Sequence, residues 1–291
     1  MNRQSVRFTP FSLNVGGRLI EYSRPAVMGI VNVTPDSFYA GSRTADAGAV
    51  ERRVAAMLDE GVDIIDVGAY SSRPGAADVS PEEESERLAR GLEALRRVAP
   101  DAVVSVDTFR ASVARKAVSD FGPLIINDIS GGALDEAMFE TVAELGVPYI
   151  MMHMRGTPAD MQEHCDYDNL AADILAELGE RLGRLTLMGV NDIIVDPGFG
   201  FSKTLEQNYE LLESLPLFAL FHRPILVGLS RKSMATRLLG IETAETLNAT
   251  TVLNTLALDR GASILRVHDV AAARQAVDLY MATTDSCKLN H

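Results

Sequence analysis

Short apolar runs alternate with longer amphipathic stretches along almost the whole chain, and this pattern constrains the fold more than any other feature of the sequence. Runs rich in Val and Ile are typical of parallel strands buried on both faces, and the stretches between them have the spacing of helices. The clearest helical stretches are residues 47–59, 82–97 and 169–187. The predicted strands are residues 26–31, 63–67, 103–106, 124–126, 149–152, 193–195, 225–228 and 263–267.

Eight strand–helix units favour a closed α/β fold, the (β/α)8 TIM barrel, over an open doubly wound sheet, which usually has about five to seven strands. A dinucleotide-binding sheet would also need a GxGxxG turn after its first strand, where this chain has Asn32-Val33-Thr34-Pro35-Asp36. Ahead of the barrel, apolar residues alternate on both sides of Gly16-Gly17, which predicts an N-terminal β-hairpin. We expect a single domain over residues 1–291, with residues 1–25 as the hairpin extension.

Composition limits the class of protein. The 291 residues carry a formal net charge of −13, which argues against nucleic acid as a partner because the two would repel each other. Cys165 and Cys287 lie far apart without a CxxC pair, so neither a disulfide framework nor a zinc site is indicated. No apolar run approaches about eighteen residues and no signal pattern opens the chain, so we expect a cytoplasmic protein without a membrane span.

Polar side chains stand where almost every predicted strand ends. The active sites of (β/α)8 barrels form at the carboxyl ends of the strands, so these residues are the candidate site. For each Asp, Asn or Ser taken alone, an ordinary helix cap remains an alternative. Capping does not explain the protonated side chains after the last two strands, because they cannot accept helix N–H bonds. The strand-end residues are Asn32, Asp66, Asp107, Asn127, His153, Asp196, Lys232, Arg266 and His268.

These residues divide by chemistry into two groups. Asp107, Asn127 and Asp196 would grip a flat heterocycle through its N–H edge. The cations after the last two strands would hold an anion, because phosphate sites in barrels commonly form there. For a diphosphate with Mg²⁺, one oxygen from Asn32 would suffice as the protein ligand, since Mg²⁺ keeps waters and takes substrate oxygens.

Two loops border the candidate site. Residues 34–38 and 71–75 follow the first and second strands, and they are either lids over the barrel mouth or surface turns. Met152 lies in a methionine-rich run and is expected to pack in the core and pocket wall rather than to bind a metal. His153, in the same run, is either a satisfied buried histidine or a pocket residue.

Eight motifs occur in order along the chain. They are MGIVNVTPDSF at residues 28–38, SSRPGA at 71–76, VSVDTF at 104–109, IINDISGG at 125–132, MMHMRGTP at 151–158, DPGFGFSKT at 196–204, GLSRKS at 228–233 and RVHDV at 266–270. In order and spacing they resemble the dihydropteroate synthases. The resemblance implies a pterin-binding barrel that uses Mg²⁺ to condense 6-hydroxymethyl-7,8-dihydropterin diphosphate with 4-aminobenzoate. The products would be 7,8-dihydropteroate and diphosphate, on the folate pathway, and the enzyme would be a homodimer and a sulfonamide target.

The same resemblance implies roles for individual residues. The pterin ring would be held by Asp107, Asn127, Asp196 and Lys232. The diphosphate or its magnesium would be held by Asn32, Arg73, Arg266 and His268. The 4-aminobenzoate pocket would be formed by Phe38, Ser72, Arg73, Pro74, Phe201 and Ser233, with Met152 also in the substrate site. The groups assigned to catalysis would be Lys232, Arg73 and Asp107.

Three positions depart from the family pattern. Family members usually carry an aspartate where this chain has Ala40, and a glycine where it has Ser42. The Glu-Ser-Thr-Arg-Pro of the second loop reads Tyr70-Ser71-Ser72-Arg73-Pro74, which preserves the hydroxyl at residue 72. Ala40 leaves open a barrel that binds pterins without catalysis. A pterin-dependent methyltransferase barrel is the other alternative, although it would not need a diphosphate clamp.

Overall fold

The computed structural model describes residues 7–33, 43–70 and 79–286. Its strands are β1 (Phe11–Val15), β2 (Arg18–Tyr22), β3 (Ala26–Asn32), β4 (Ile64–Gly68), β5 (Val104–Asp107), β6 (Ile125–Asp128), β7 (Tyr149–Met152), β8 (Ile193–Asp196), β9 (Leu226–Val227) and β10 (Ile264–Val267). Strands β1 and β2 form an antiparallel pair, and β3 to β10 form a parallel sheet in the order β8-β7-β6-β5-β4-β3-β10-β9. Each predicted strand is present, with both ends within two residues of the prediction.

A single parallel bridge joins the two edges of the eight-stranded sheet. It pairs Val195 of β8 with Ile225, just before β9. The Val195 amide donates to the carbonyl of Pro224 at 2.9 Å. This bridge closes the strands into the predicted (β/α)8 barrel.

The helices lie around the strands. They are α1 (Arg43–Asp59), α2 (Pro81–Val98), α3 (Ala111–Phe121), α4 (Met138–Leu145), α5 (Leu170–Leu187), α6 (Leu205–Ser214), α7 (Ser233–Leu239), α8 (Leu247–Asp259) and α9 (Val270–Ser286). The three predicted helical stretches correspond to α1, α2 and α5, and α8 is an additional helix between α7 and β10. Among the helices of the described ranges, none is long and apolar enough to cross a membrane.

The predicted N-terminal hairpin lies against the amino-terminal end of the barrel. Gly16 and Gly17 form its turn with φ angles of +62° and +84°, values that favour glycine and suit a tight hairpin turn. Leu13, which is 1% exposed, and Tyr22 pack onto the inner side chains at the lower end of the strands. That inner layer comprises Ala26, Met28, Ile64, Ile125, Ile150, Ile194, Leu226 and Ile264. The hairpin therefore covers this end of the barrel with apolar contacts.

Candidate active site

A row of polar residues crosses the carboxyl ends of neighbouring strands. In the strand register, Asn32 pairs with Gly68, Gly68 with Asp107, and Asp107 with Asn127. Residues that pair in parallel strands face the same side of the sheet, so these side chains share the barrel interior. Gly68 leaves room between its neighbours, because a Cβ there would lie 3.3 Å from the Asp107 Cβ and 3.7 Å from Asn32 Oδ1. The structure therefore brings three predicted site residues together around an open position.

Arg266 bridges two carboxylates within this site. Its Nε donates to Asp66 Oδ2 at 2.7 Å, and its Nη2 donates to Asp107 Oδ2 at 2.6 Å. Asn127 Nδ2 adds longer contacts of 3.3 and 3.4 Å to the fully buried Asp66 carboxylate. Buried charges are stable only when they are paired and hydrogen-bonded, and here one guanidinium compensates two carboxylates.

The two groups that the sequence separates by chemistry, the ring grip and the anion clamp, lie in direct contact in the structure. Arg266 lies between Asp66 and Asp107 instead of standing apart with other cations. Lys232 is likewise close enough to Asp196 for the two charges to affect each other's pKa. The physical reason is that like charges buried together would repel, so cations and carboxylates alternate in the site.

Asp107 has an unusual proton affinity. Burial raises its pKa to about 7; the charge of Arg266 opposes this shift and the Asp66 carboxylate adds to it. The sequence left an ordinary helix cap open for this residue. Helix α3 begins instead with Ala111, whose amide donates to Asp135 Oδ2 at 2.8 Å, so Asp107 faces the barrel interior and does not cap the helix.

Asp196 and Lys232 form a second charged part of the site. Asp196 accepts a hydrogen bond from the Gly198 amide at 2.8 Å, and burial raises the pKa of its carboxyl group while the charge of Lys232 lowers it. Lys232 Nζ donates to the carbonyl of Phe199 and lies 4.7 Å from the ring centroid of Phe201. Burial lowers the pKa of Lys232 to about 8, and the Asp196 charge opposes the shift.

His268 is neutral in this environment, which corrects its grouping with the cations. Burial lowers its pKa to about 4, and the charges of Arg266 and Arg231 act in the same direction. Ser230 Oγ lies 3.1 Å from His268 Nδ1 and accepts from the His268 backbone amide at 3.1 Å. In the tautomer that carries the ring proton on Nε2, Nδ1 accepts from the serine hydroxyl.

Arg231, between two residues of the site, does not join it. It has a φ of +57°, and its guanidinium forms an ion pair of 2.7 Å with Asp269. Ser233, assigned by resemblance to the 4-aminobenzoate pocket, follows Lys232 as the first residue of α7 and is exposed.

Met152 packs as expected from the sequence. It belongs to a small buried cluster with Met154, Met161 and Ile129, and the ring of Phe201 packs against that cluster. His153 is a satisfied buried histidine: Glu177 Oε2 lies 3.1 Å from its Nε2, and Lys203 Nζ lies 3.1 Å from its Nδ1.

Sequence reasoning did not assign a role to Asp66 or to Lys203. A signal for Asp66 was present, since it is a charged residue inside the otherwise apolar run Ile64-Ile65-Asp66-Val67. Lys203 lies within the DPGFGFSKT motif, but nothing in the sequence shows that its side chain turns inward, where it is only 3% exposed.

Several predicted site residues lie outside the described residues. They are Phe38, Ser72, Arg73 and Pro74, and Ala40, the main departure from the family pattern, lies outside them as well. Their assignments rest on the sequence motifs alone.

Comparison with known proteins agrees with this geometry. The family model described as "Pterin binding enzyme" matches residues 28–268. The dihydropteroate synthase of Escherichia coli K12 is 40% identical over 269 residues, covering 92% of this chain and 94% of the E. coli protein. The chain spans about half the length of the bifunctional folate synthesis proteins of plants that it also matches.

Two solved structures are similar over nearly their whole length. A Yersinia pestis dihydropteroate synthase with a sulfonamide drug complex has a TM-score of 0.86 and 38% identity, covering 94% of this chain and 100% of that one. A Xanthomonas albilineans dihydropteroate synthase with 4-aminobenzoic acid has a TM-score of 0.85 and 37% identity, covering 95% and 99%. The family match, the identity to relatives of equal length and the shared barrel place the chain in the pterin binding enzyme family, among the dihydropteroate synthases.

Proposed function

We propose that this chain is a transferase that condenses 6-hydroxymethyl-7,8-dihydropterin diphosphate with 4-aminobenzoate and releases diphosphate. The observation that carries the proposal is the set of paired carboxylates and cations at the carboxyl end of the barrel, in which Arg266 pairs with Asp107 and the charge of Lys232 acts on the buried Asp196. Such a set stabilises the fold no more than apolar residues would, and charged groups with shifted pKa values are common at functional sites. Membership among the dihydropteroate synthases supports this choice of ligand.

The pterin ring presents a row of N–H donors and ring acceptors along one edge. Asp107 and Asp196 would accept from the donors as carboxylates, and Asn127 would offer both an acceptor and a donor. Lys232 would exchange its bond to the carbonyl of Phe199 for a bond to a ring acceptor. Charge-assisted bonds of this kind are about twice as strong as neutral ones, which suits a polar ring in a buried site.

The diphosphate would lie toward Arg266, His268 and Asn32. The Nε and Nη2 atoms of Arg266 already bind Asp66 and Asp107, which leaves Nη1 as the donor for a phosphate oxygen. His268 would donate a neutral Nε2–H. By the sequence motif, Arg73 would supply a second cation.

A magnesium ion suits the donor set at this position. The described residues contain no group of three or more His, Cys, Asp or Glu side chains that could hold a metal. Mg²⁺ needs no such group when it is bound mainly by waters and substrate phosphate oxygens, and Asn32 would supply one amide oxygen at the end of β3. When bound, Mg²⁺ would stabilise the charge on the diphosphate.

The reaction breaks the bond between the pterin methylene carbon and a diphosphate oxygen, and both electrons leave with the diphosphate. The amine nitrogen of 4-aminobenzoate attacks the carbon with its lone pair and afterwards loses one proton. Arg266 and His268 would stabilise the growing negative charge, while Asp107 and Asp196 fix the ring that carries the developing positive charge. The aniline attacks in its neutral form, so the step needs no general base.

The 4-aminobenzoate pocket would contain Phe201 and Ser233 from the described residues, and Phe38, Ser72, Arg73 and Pro74 from the two loops. A pocket for a flat aniline would also admit sulfonamides, which we expect to compete with 4-aminobenzoate. We further propose that the enzyme works in the cytoplasm and as a homodimer. Exposed apolar residues on α7 and α8, among them Leu238, Leu239 and Leu247, support a protein partner for that face.

The proposal is tested by mixing the purified chain with both substrates and Mg²⁺ and measuring diphosphate release. We expect release that requires both substrates and stops when EDTA removes the metal. A protein that binds the pterin but releases no diphosphate would support the non-catalytic alternative, and one that binds no pterin would refute the proposal altogether.

A further inference from the structure

A turn after β8 is held between two lysines, the buried Lys203 and the half-buried Lys232. Lys203 Nζ, behind the turn, donates to the carbonyls of Gly198 at 3.0 Å and Phe201 at 2.9 Å. Lys232 Nζ, in the candidate site, donates to the carbonyl of Phe199 between them. The turn thus binds one ammonium group on each side.

The turn is packed too closely to adjust freely. A Cβ at Gly198 would lie 1.9 Å from the backbone oxygen of His153, and a Cβ at Gly200 would lie 3.1 Å from Lys232 Cδ. Ser202 fixes the far end, since its Oγ donates to the Arg155 carbonyl at 2.7 Å. Only small changes in the carbonyl directions are therefore compatible with the surrounding atoms.

Lys203 is itself oriented by a chain of buried partners. Its third hydrogen bond goes to His153 Nδ1 at 3.1 Å, which requires the ring proton on Nε2. That proton is donated to Glu177 Oε2 at 3.1 Å, and Arg155 Nε binds the other carboxylate oxygen at 2.8 Å. The three ammonium hydrogens are all used, so the direction of Lys203 is fixed by the fold and not by a ligand.

A bound ligand would change the hydrogen bonds of Lys232 to the turn but not those of Lys203. In the proposed function Lys232 leaves Phe199 and binds the pterin, and the turn then loses one of its two supports. Lys203 donates its hydrogen bonds to His153 and to the turn, not to a side chain of the proposed pterin site, and keeps these three acceptors. The Phe201 ring packs against the Met152 cluster, and the backbone carbonyl of Phe201 is one of the three acceptors of Lys203.

We propose that Lys203 is a positioning residue, which holds the Gly198–Phe201 turn from behind so that Lys232 can bind substrate and Phe201 can form a wall of the 4-aminobenzoate pocket. This inference rests on the proposed function. Asp196 is held by the pairing of its strand with β7 in addition to the Gly198 amide of the turn, whereas Phe201 belongs to the turn itself, so the aminobenzoate side depends on Lys203 more than the pterin side does.

Steady-state kinetics of Lys203→Met test the proposal, with Lys116→Met on the exposed face of α3 as the matched control. We expect the KM for 4-aminobenzoate to rise about tenfold and the KM for the dihydropterin diphosphate to rise less than about threefold, because the lost bonds hold the turn behind Phe201. The control should match the wild type. A folded Lys203→Met enzyme with wild-type kinetics, or with an equal rise in both KM values, would overturn the proposal.

A second variant keeps the test decisive if Lys203→Met does not fold. Glu177→Gln on helix α5 weakens the orientation of His153 without touching the turn, and Glu180→Gln on the same helix is its exposed control. A rise of about threefold in the KM for 4-aminobenzoate, confined to Glu177→Gln, supports the proposal. Equal kinetics in the two variants overturns it. If the wild-type protein releases no diphosphate in these experiments, the result counts against the proposed function and not against the role of Lys203.

Discussion

The two ends of the barrel interior differ sharply although they are built from the same strands. At the amino-terminal end the inward side chains of four strands are Ile64, Ile125, Ile194 and Ile264. Two residues further along, the corresponding positions are Asp66, Asn127, Asp196 and Arg266. Since side chains alternate along a strand, two residues correspond to a step of only about 6.6 Å on the same face.

This difference separates stability from ligand binding. The lower layer removes apolar surface from water and is covered by Leu13 and Tyr22 of the hairpin. The upper layer holds three charged groups, Asp66, Asp196 and Arg266, that the chain would replace with apolar residues if stability were the only requirement. Mutations in the lower layer should therefore change unfolding, and mutations in the upper layer should change binding and turnover.

The largest effect is expected from Leu13→Ala in the hairpin. It removes a side chain that is 1% exposed, which should lower the free energy of unfolding by about 2 to 5 kcal/mol while kcat of the folded enzyme stays near wild type. Leu19→Ala on β2, where the leucine is 60% exposed, is the control and should change unfolding by less than about 0.5 kcal/mol. Denaturant titration measures both. Equal stability of the two variants would show that the hairpin does not seal the barrel.

The next effect concerns the opposite end. Lys232→Ala should lower kcat/KM by about ten- to a hundredfold, which corresponds to about 1.5 to 3 kcal/mol for a charge-assisted contact. The melting temperature should change little, because the ammonium group has a lowered pKa and is unfavourably buried. Unchanged kinetics would remove Lys232 from the site, and collapse of the fold would assign the upper layer to stability.

A pH titration should move binding and stability in opposite directions at the upper layer. Asp107 accepts from the pterin only as a carboxylate, so with a pKa of about 7 the pterin affinity should fall about fivefold from pH 7 to pH 6. The folded pKa lies above the unfolded value, so the contribution of Asp107 to stability is present at low pH and is lost as the pH rises through 7. Calorimetric titration of the pterin at several pH values measures the affinity. The Asp107→Asn variant should lose its dependence on pH. A flat wild-type profile would contradict the assignment.

The smallest effect is expected at Ala40, in the segment between β3 and α1. Ala40→Asp restores the charge that the family usually carries there and should raise kcat by about threefold with little change in the pterin KM, since a contact made late in the cycle acts on the transition state. Single-turnover and steady-state rates of diphosphate release measure it. An enzyme that is already fully active, and unimproved by the change, would show that the loop works through other contacts.

The sequence predicted the fold more completely than the site. Alternating apolar runs predict strands directly, and the hairpin follows from Gly16-Gly17, because both depend on local periodicity. The pairing of Arg266 with Asp66 and Asp107 could not be predicted, since it joins residues up to 200 positions apart and depends on which face of each strand is inside. For the same reason His268 was grouped with cations, although burial, together with the charge of Arg266, lowers its pKa to about 4.

The most direct test of the account compares the two ends of one strand. Asp196 ends β8 in the upper layer, and Asp192 precedes β8 at the lower end, where it accepts from the Asn14 amide at 3.2 Å. Calorimetric titration of a dihydropterin into the wild type, Asp196→Asn and Asp192→Asn should give affinity reduced by about ten- to a hundredfold in Asp196→Asn only, because the amide presents a donor where the ring also presents one. Wild-type affinity in Asp196→Asn would contradict the claim that the buried charges at the carboxyl end of the barrel bind the pterin.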